Sequence, residues 1–243
     1  MIWAGLVLAG LASAFAATEQ VIVSIAPTWD SPTGKLQCFE RDGNRWRAVG
    51  GIVPVLYGAK GLAWGKGIHG QNETGLHKVE KDKRAPAGVF RIGKIYTFDR
   101  TLPAGANYPF FTVTENCAWP DDPAHPYYNR HVTVDSANKP EWFESQKMRH
   151  NDPPHRWLVE IRHNSDPPVP GAGSAIFFHI RRGPDRASAG CTVMAEKDIV
   201  NIIRWLRASG KPRYALLPRE EYGKRWKQWN LPPPETAARL LKK

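Results

Sequence analysis

Cysteine is scarce in this chain. Three in 243 residues are too few for a disulfide-stapled scaffold, and no Cys-x-x-Cys pair is present to chelate zinc or to cycle between dithiol and disulfide. The eight histidines are dispersed, with His69 and His77 on one glycine-rich segment and no His-Glu-x-x-His anywhere, so no metal site is expected. A glycine-rich phosphate loop is also missing, and the chemistry of the chain should need no cofactor. No long Ser/Gly-rich linker and no internal repeat divides the sequence, which favours one large domain. Acidic residues fall short of basic ones, 23 against 34, leaving a net charge of +11. Such a surface attracts polyanions, but no RNA- or DNA-binding motif accompanies it, and nucleic acid is not an expected partner.

What is present is a loop-rich pattern of short apolar runs among 21 Gly, 21 Pro and ten Trp, the composition of a mainly β protein. Strands are predicted near residues 21–26, 36–41, 52–56, 89–95, 110–114, 155–161, 175–180 and 214–217. Between residues 116 and 152 lies a long insertion rich in Pro, Asp and aromatics; such loops are functional or disordered. Residues 1–17 form an apolar run without Lys or Arg, too short to span a bilayer comfortably. Small residues at Ala12, Ala14 and Ala16 offer A-x-A cleavage sites, so the segment reads as a secretory signal peptide. A misassigned start, an uncleaved anchor and a buried helix are the other readings.

The chemistry concentrates in residues 177–194. His179 ends an apolar run, and Cys191 follows twelve residues later behind the turn Ser188-Ala189-Gly190. A thiol becomes a useful nucleophile only when something takes its proton or stabilises its thiolate, and an adjacent imidazole does the first. After the cysteine, Ile199, Ile202, Ile203 and Leu206 recur at helical spacing, with Glu196 and Asp198 in the first turn and Gly210 and Pro212 as the stop. Cys191 is thus expected between a glycine turn and a helix N-terminus, where backbone amides face a developing oxyanion. A lone cysteine is more often a small buried apolar residue, and a lone histidine a satisfied polar one. On residue types alone, both readings stay open.

At these positions the chain resembles the L,D-transpeptidase catalytic domain family, also called YkuD-like, whose motif is a histidine followed some residues later by Ser-His-Gly-Cys. The matching positions are His179, Ser188, Gly190 and Cys191. The run Arg84-Ala85-Pro86-Ala87-Gly88-Val89-Phe90-Arg91-Ile92 is similar to the family's Thr-Pro-x-Gly-x-Phe-x-Ile segment. Gly61-Leu62-Ala63-Trp64-Gly65 and Tyr127-Tyr128-Asn129 look like those of a longer-looped bacterial branch, and the resemblance covers residues 35 to 217. Two residues depart from the pattern: Ala189 replaces the usual histidine before Gly-Cys, and Val193 replaces the polar or basic residue common two places after the cysteine. The loop from His179 to Cys191 is also shorter than in most members.

The resemblance implies a mainly β (α+β) fold, a β-sandwich or barrel with one helix after the cysteine and long loops. Together with the apolar start, the resemblance divides the chain into a leader over 1–17, a catalytic domain over 18–217 and, beyond the resemblance, a basic C-terminal extension over 218–243 that either wraps back or stays partly disordered. It implies a peptidoglycan acyltransferase in which His179 accepts the proton of Cys191, with no metal or cofactor. The Gly190 and Cys191 amides are the implied oxyanion donors, while Ser188 shapes the turn or holds a hydrogen bond near the histidine. Tyr127, Tyr128, Asn129, His163 and Asn164 are candidate substrate contacts, with packing an equally good reading. The implied partners are peptidoglycan stem peptides and cell-wall polyanions, for a monomer exported to the periplasm or cell wall. A carboxypeptidase or endopeptidase on the same fold and an inactive wall-binding module are the alternatives. In an oxidising compartment the odd thiol is Cys191, leaving Cys38 and Cys117 either paired or separately buried.

Overall fold

The computed structural model describes residues 18–70, 73–149 and 151–242; the signal-peptide expectation for residues 1–17 lies outside them. The strands in chain order are β1 (Gln20–Ala26), β2 (Thr33–Asp42), β3 (Arg45–Leu56), β4 (Leu62–Trp64), β5 (Ala85–Thr97) and β6 (Phe110–Thr112). Then come β7 (Cys117–Ala118), β8 (Val132–Thr133), β9 (Leu158–Ile161), β10 (Phe177–Ile180), β11 (Thr192–Met194) and β12 (Arg213–Pro218). The main sheet runs β12-β1-β2-β3-β11-β10-β9-β5, and β5 pairs back onto β12, so eight strands close on themselves. β4 and β6 pair with β5 outside this ring. A mainly β barrel results, as expected.

Its interior is filled by the inward faces of the strands, among them Ile22, Leu36, Phe39, Tyr57, Phe90, Phe178 and Tyr214, all within 1 % of complete burial. β1 is buried on both faces along its whole length, because helical segments cover it from outside. The helix Glu196–Trp205 turns Ile199, Ile202 and Ile203 inward and packs beside β10. Beyond β12 the chain wraps back: the helix Arg219–Arg225 lies on β12 and β1, and Tyr222, Trp229, Leu231, Ala237 and Leu240 enter the main core.

Three local differences from the sequence reading have physical causes. The strand predicted over 52–56 is the end of a longer one: β3 runs from Arg45 through Gly50-Gly51, with Gly50 at φ +69 and a register shift against β2 between Leu36 and Cys38. The glycines form a bulge rather than a chain reversal. Pro153–His155 forms a 3-10 turn where a strand start was predicted, since two prolines cannot donate to a ladder and β9 begins only at Leu158. Cys191 does not run into the helix: β11 intervenes, and the helix starts at Glu196. Of the two readings of the remaining thiols, pairing does not occur. Cys38 and Cys117 are buried and free, Cys38 in the main core and Cys117 in a second cluster with Tyr96, Leu158 and Phe177.

Candidate active site

β10 and β11 are parallel neighbours, with Phe178 opposite Thr192 and His179 opposite Val193. Alternation along each strand puts Phe178 and Thr192 inside the barrel, where both meet Tyr214, the first by an edge-on ring contact at 4.6 Å and the second by a hydroxyl bond of 2.9 Å. The opposite face therefore carries Phe177 and His179 from one strand and Cys191 and Val193 from the next. A displacement of two residues along and one strand across corresponds to roughly 8 Å between backbones, a span that an imidazole covers. Cys191 and His179 line two cavities of about 290 and 350 Å³, which also share Arg149 and His155. The first extends under Trp119, Gln146 and Met148; the second lies beneath Arg182, Arg186 and the turn before Cys191.

That turn is stitched at both ends. Ser188 Oγ donates to the Cys191 carbonyl at 2.6 Å and accepts the Gly190 N–H at 3.0 Å. Its own N–H donates to Tyr57, and the Ala59 N–H donates to its carbonyl. Gly190 is held at φ +156, and a Cβ there would stand 3.0 Å from the Arg84 carbonyl oxygen, so the position excludes a side chain. One expectation is corrected here, and one pair of alternatives is narrowed. The Gly190 amide is engaged by Ser188 and cannot serve as an oxyanion donor, whereas the Cys191 N–H has no hydrogen-bond partner among the described residues. Ser188 shapes the turn and makes no bond to the histidine.

The Cys191 sulfur donates to the Ala175 carbonyl at 3.5 Å and accepts the Phe177 N–H at 3.4 Å. Burial pushes this thiol up to about 11, against the opposing pull of the Phe177 amide and of Lys78. The resting group is a neutral thiol. His179 is 9 % exposed, and burial lowers its pKa from the ordinary histidine value. Its Nδ1 lies 2.9 Å from the Ile180 carbonyl. A carbonyl only accepts, so Nδ1 carries the proton and Nε2 is left as the base.

Sequence reasoning did not single out His155, whose ring packs at 5.1 Å, nearly perpendicular, on that of His179. Burial holds it down to about 4, with Asp152 at 3.6 Å from Nδ1. Asp152 also binds Arg182 through both oxygens. No motif marks His155; only the barrel brings it to the thiol.

The five candidate substrate contacts line neither cavity. Tyr127 is half exposed, and Tyr128 is buried with its hydroxyl on Glu80. Asn129 instead supports the site from behind: its Oδ1 accepts the Ala175 N–H at 3.0 Å, and its Nδ2 donates to the His163 and Asn164 carbonyls. Ala175 needs that support, because it sits at φ +53, an uncommon conformation for a residue with a Cβ, while offering its carbonyl to Cys191. His163 is 2 % exposed, accepting the Lys66 N–H at Nδ1 and donating to Ala172 at Nε2. Asn164 bonds both backbone groups of Val169 and the Gly173 carbonyl. Asn129, His163 and Asn164 thus brace the loop leading into β10. Trp119, which the sequence left within the long insertion, does face the thiol cavity and donates to Asn129.

A family model, YkuD, the L,D-transpeptidase catalytic domain, matches residues 28–213. No curated protein and no solved structure matches the chain.

Proposed function

The chain belongs to the L,D-transpeptidase catalytic domain family, and from that premise we propose that it is a cysteine-dependent transpeptidase joining peptidoglycan stem peptides. The observation that carries this reading is the common face of β10 and β11, on which Cys191 and a correctly tautomeric His179 border the same two cavities. In the first step His179 Nε2 takes the thiol proton as sulfur bonds to the carbonyl carbon of the third residue of a stem tetrapeptide. The peptide bond to the terminal D-alanine then breaks, the imidazolium returns the proton to the departing amine, and a thioester remains on Cys191. The free Cys191 N–H is the backbone donor available to the oxyanion. In the second step an amine from another stem attacks the thioester, gives its proton through His179 back to sulfur, and is released as the cross-linked product.

A cavity on either side of the thiol supports transfer over plain hydrolysis, since donor and acceptor need separate room. Water in place of the acceptor would give an L,D-carboxypeptidase. The leader over residues 1–17 and the net charge of +11 fit a protein exported to the periplasm or cell wall, among acidic wall polymers. Incubation of the protein with disaccharide-tetrapeptides followed by mass analysis tests the proposal. Dimers with release of D-alanine support it, trimmed monomers replace it with the hydrolase, and unchanged substrate with retained binding to wall sacculi replaces it with a binding module.

A further inference from the structure

One buried charge beside the catalytic turn plays no part in those steps. The side chain of Lys78 is 3 % exposed, a rare condition for lysine and a costly one unless the ammonium is paired. Its Nζ donates to Asp82 Oδ1 at 2.5 Å and to the Val79 carbonyl at 3.0 Å. The stem passes two glycines that flank the thiol segment. A Cβ on Gly173 would meet Lys78 Cγ at 2.8 Å, and one on Gly190 would lie 3.7 Å from Lys78 Cε. The missing side chains leave room for the Lys78 stem, which carries its Cε past Gly173 to the back of the Gly190–Cys191 turn, while Lys78 lines neither cavity.

We propose that Lys78 is a positioning residue for acyl transfer, its buried ammonium holding a positive potential behind Cys191 that stabilises the thiolate formed when His179 takes the proton. The proposal rests on Cys191 being the nucleophile. Among the described residues, Lys78 is the one charged side chain acting on the thiol, and it favours the ionised form. His179 and His155 line the same cavities as Cys191, but burial lowers the pKa of both imidazoles, which keeps them neutral near pH 7. Asp121 and Lys147 stand on the wall of one cavity, Arg182 and Arg186 on the other and Arg149 on both, where water screens them. Asp82 balances the ammonium while accepting the Val79 and Arg84 N–H groups. The pair therefore also clamps the loop into β5, and the experiment has to separate clamp from field.

Opposite charges separate them. The ionisation of Cys191 is read from thiolate ultraviolet absorbance, as the difference between each protein and the same protein carrying Cys191→Ser, so that the other thiols cancel. Lys78→Met should raise the thiol's midpoint by about one pH unit, and Asp82→Asn, which removes the counter-charge and keeps the lysine, should lower it. Lys78→Arg should restore the wild-type value. A pure clamp predicts that Lys78→Met and Asp82→Asn move the midpoint in the same direction or leave it alone, and either result overturns the proposal. Should Lys78→Met fail to fold, Asp82→Asn decides by the sign of its shift. Because the titration uses no donor peptide, failure of the wild type to turn over stem peptides would count against the transpeptidase reading alone.

Discussion

Replacing His179 by alanine gives the sharpest test of how the thiol is activated. With the Cys191 thiol at about 11, only about one molecule in 10⁴ carries a thiolate at pH 7, so a mechanism drawing on preformed thiolate would be starved. General-base assistance is worth roughly 10²–10⁴ in rate, enough to offset most of that deficit. His179→Ala should therefore slow acylation at neutral pH by about that factor, with Cys191 still chemically present. The shape of the pH profile is equally diagnostic. In the wild type the base is already neutral at pH 7, because burial lowers the His179 pKa from 6.5, so the rate should be level around neutrality and fall only on the acid side. In the variant it should climb about tenfold per pH unit, following the thiolate population. Intact-mass measurement of acylation by a carbapenem, a thiol-reactive donor mimic suggested by the family resemblance, at several pH values from about 5 to 9 reads both effects. A flat profile for His179→Ala, or a loss smaller than about tenfold at neutrality, would refute general-base activation and point to a thiolate formed without His179.

Other outcomes are equally specific. Trp229, 1 % exposed and packed at 5.1 Å on His69 and 6.5 Å on Trp64, should cost about 3–5 kcal/mol when truncated to alanine; denaturant unfolding with a loss under about 1 kcal/mol would show that the C-terminal segment is peripheral to the core. Alkylation of the denatured, unreduced protein should label all three cysteines, and a single label would restore the Cys38–Cys117 disulfide. His163, His69 and His155 are held down to about 3, 4 and 4 by burial, so the unfolded chain binds more protons than the folded one below 6.5. Their contribution is present above that pH and is lost as pH falls towards 3, and a urea midpoint that does not drop between about pH 6.5 and 4 would contradict it. Asn129→Ala leaves the Ala175 N–H without its partner and should slow acylation of Cys191 with little change in donor KM; a pure KM effect would return Asn129 to the role of substrate contact.

The candidate pair was legible in the sequence because His179, Ser188, Gly190 and Cys191 lie within one short stretch, which the structure brings to one face of β10 and β11. Apolar periodicity also located most of the ring: β1, β2, β5, β10 and β12 stand where alternation placed them. Elements of two or three residues such as β4, β7 and β11 were not readable, because a period of two cannot be counted over so short a run. The rest of the site is non-local. His155 and Trp119 reach the cavity beside the thiol, and Lys78 the back of its turn, only after the barrel has closed, and nothing in their neighbours distinguishes them beforehand. Asn129, His163 and Asn164 show the converse: polar residues expected to touch substrate instead brace the backbone that leads into β10.

Closure of the ring by β12 sets the order in which the protein can fold. That strand inserts between β1, where Val21 pairs with Arg213, and β5, where Val89 pairs with Ala215. Until residue 218 is available, both partners present unpaired edges, the condition under which strands of different chains join. Pairings so distant along the chain also give a high contact order and slow folding, on the millisecond-to-second scale. A chain stopped short of β12 would keep His179 and Cys191 and lose the enclosure around them, so such fragments should aggregate rather than work at reduced rate. Emergence of the last strand is then the event that turns a sticky nascent sheet into one with its seam sealed.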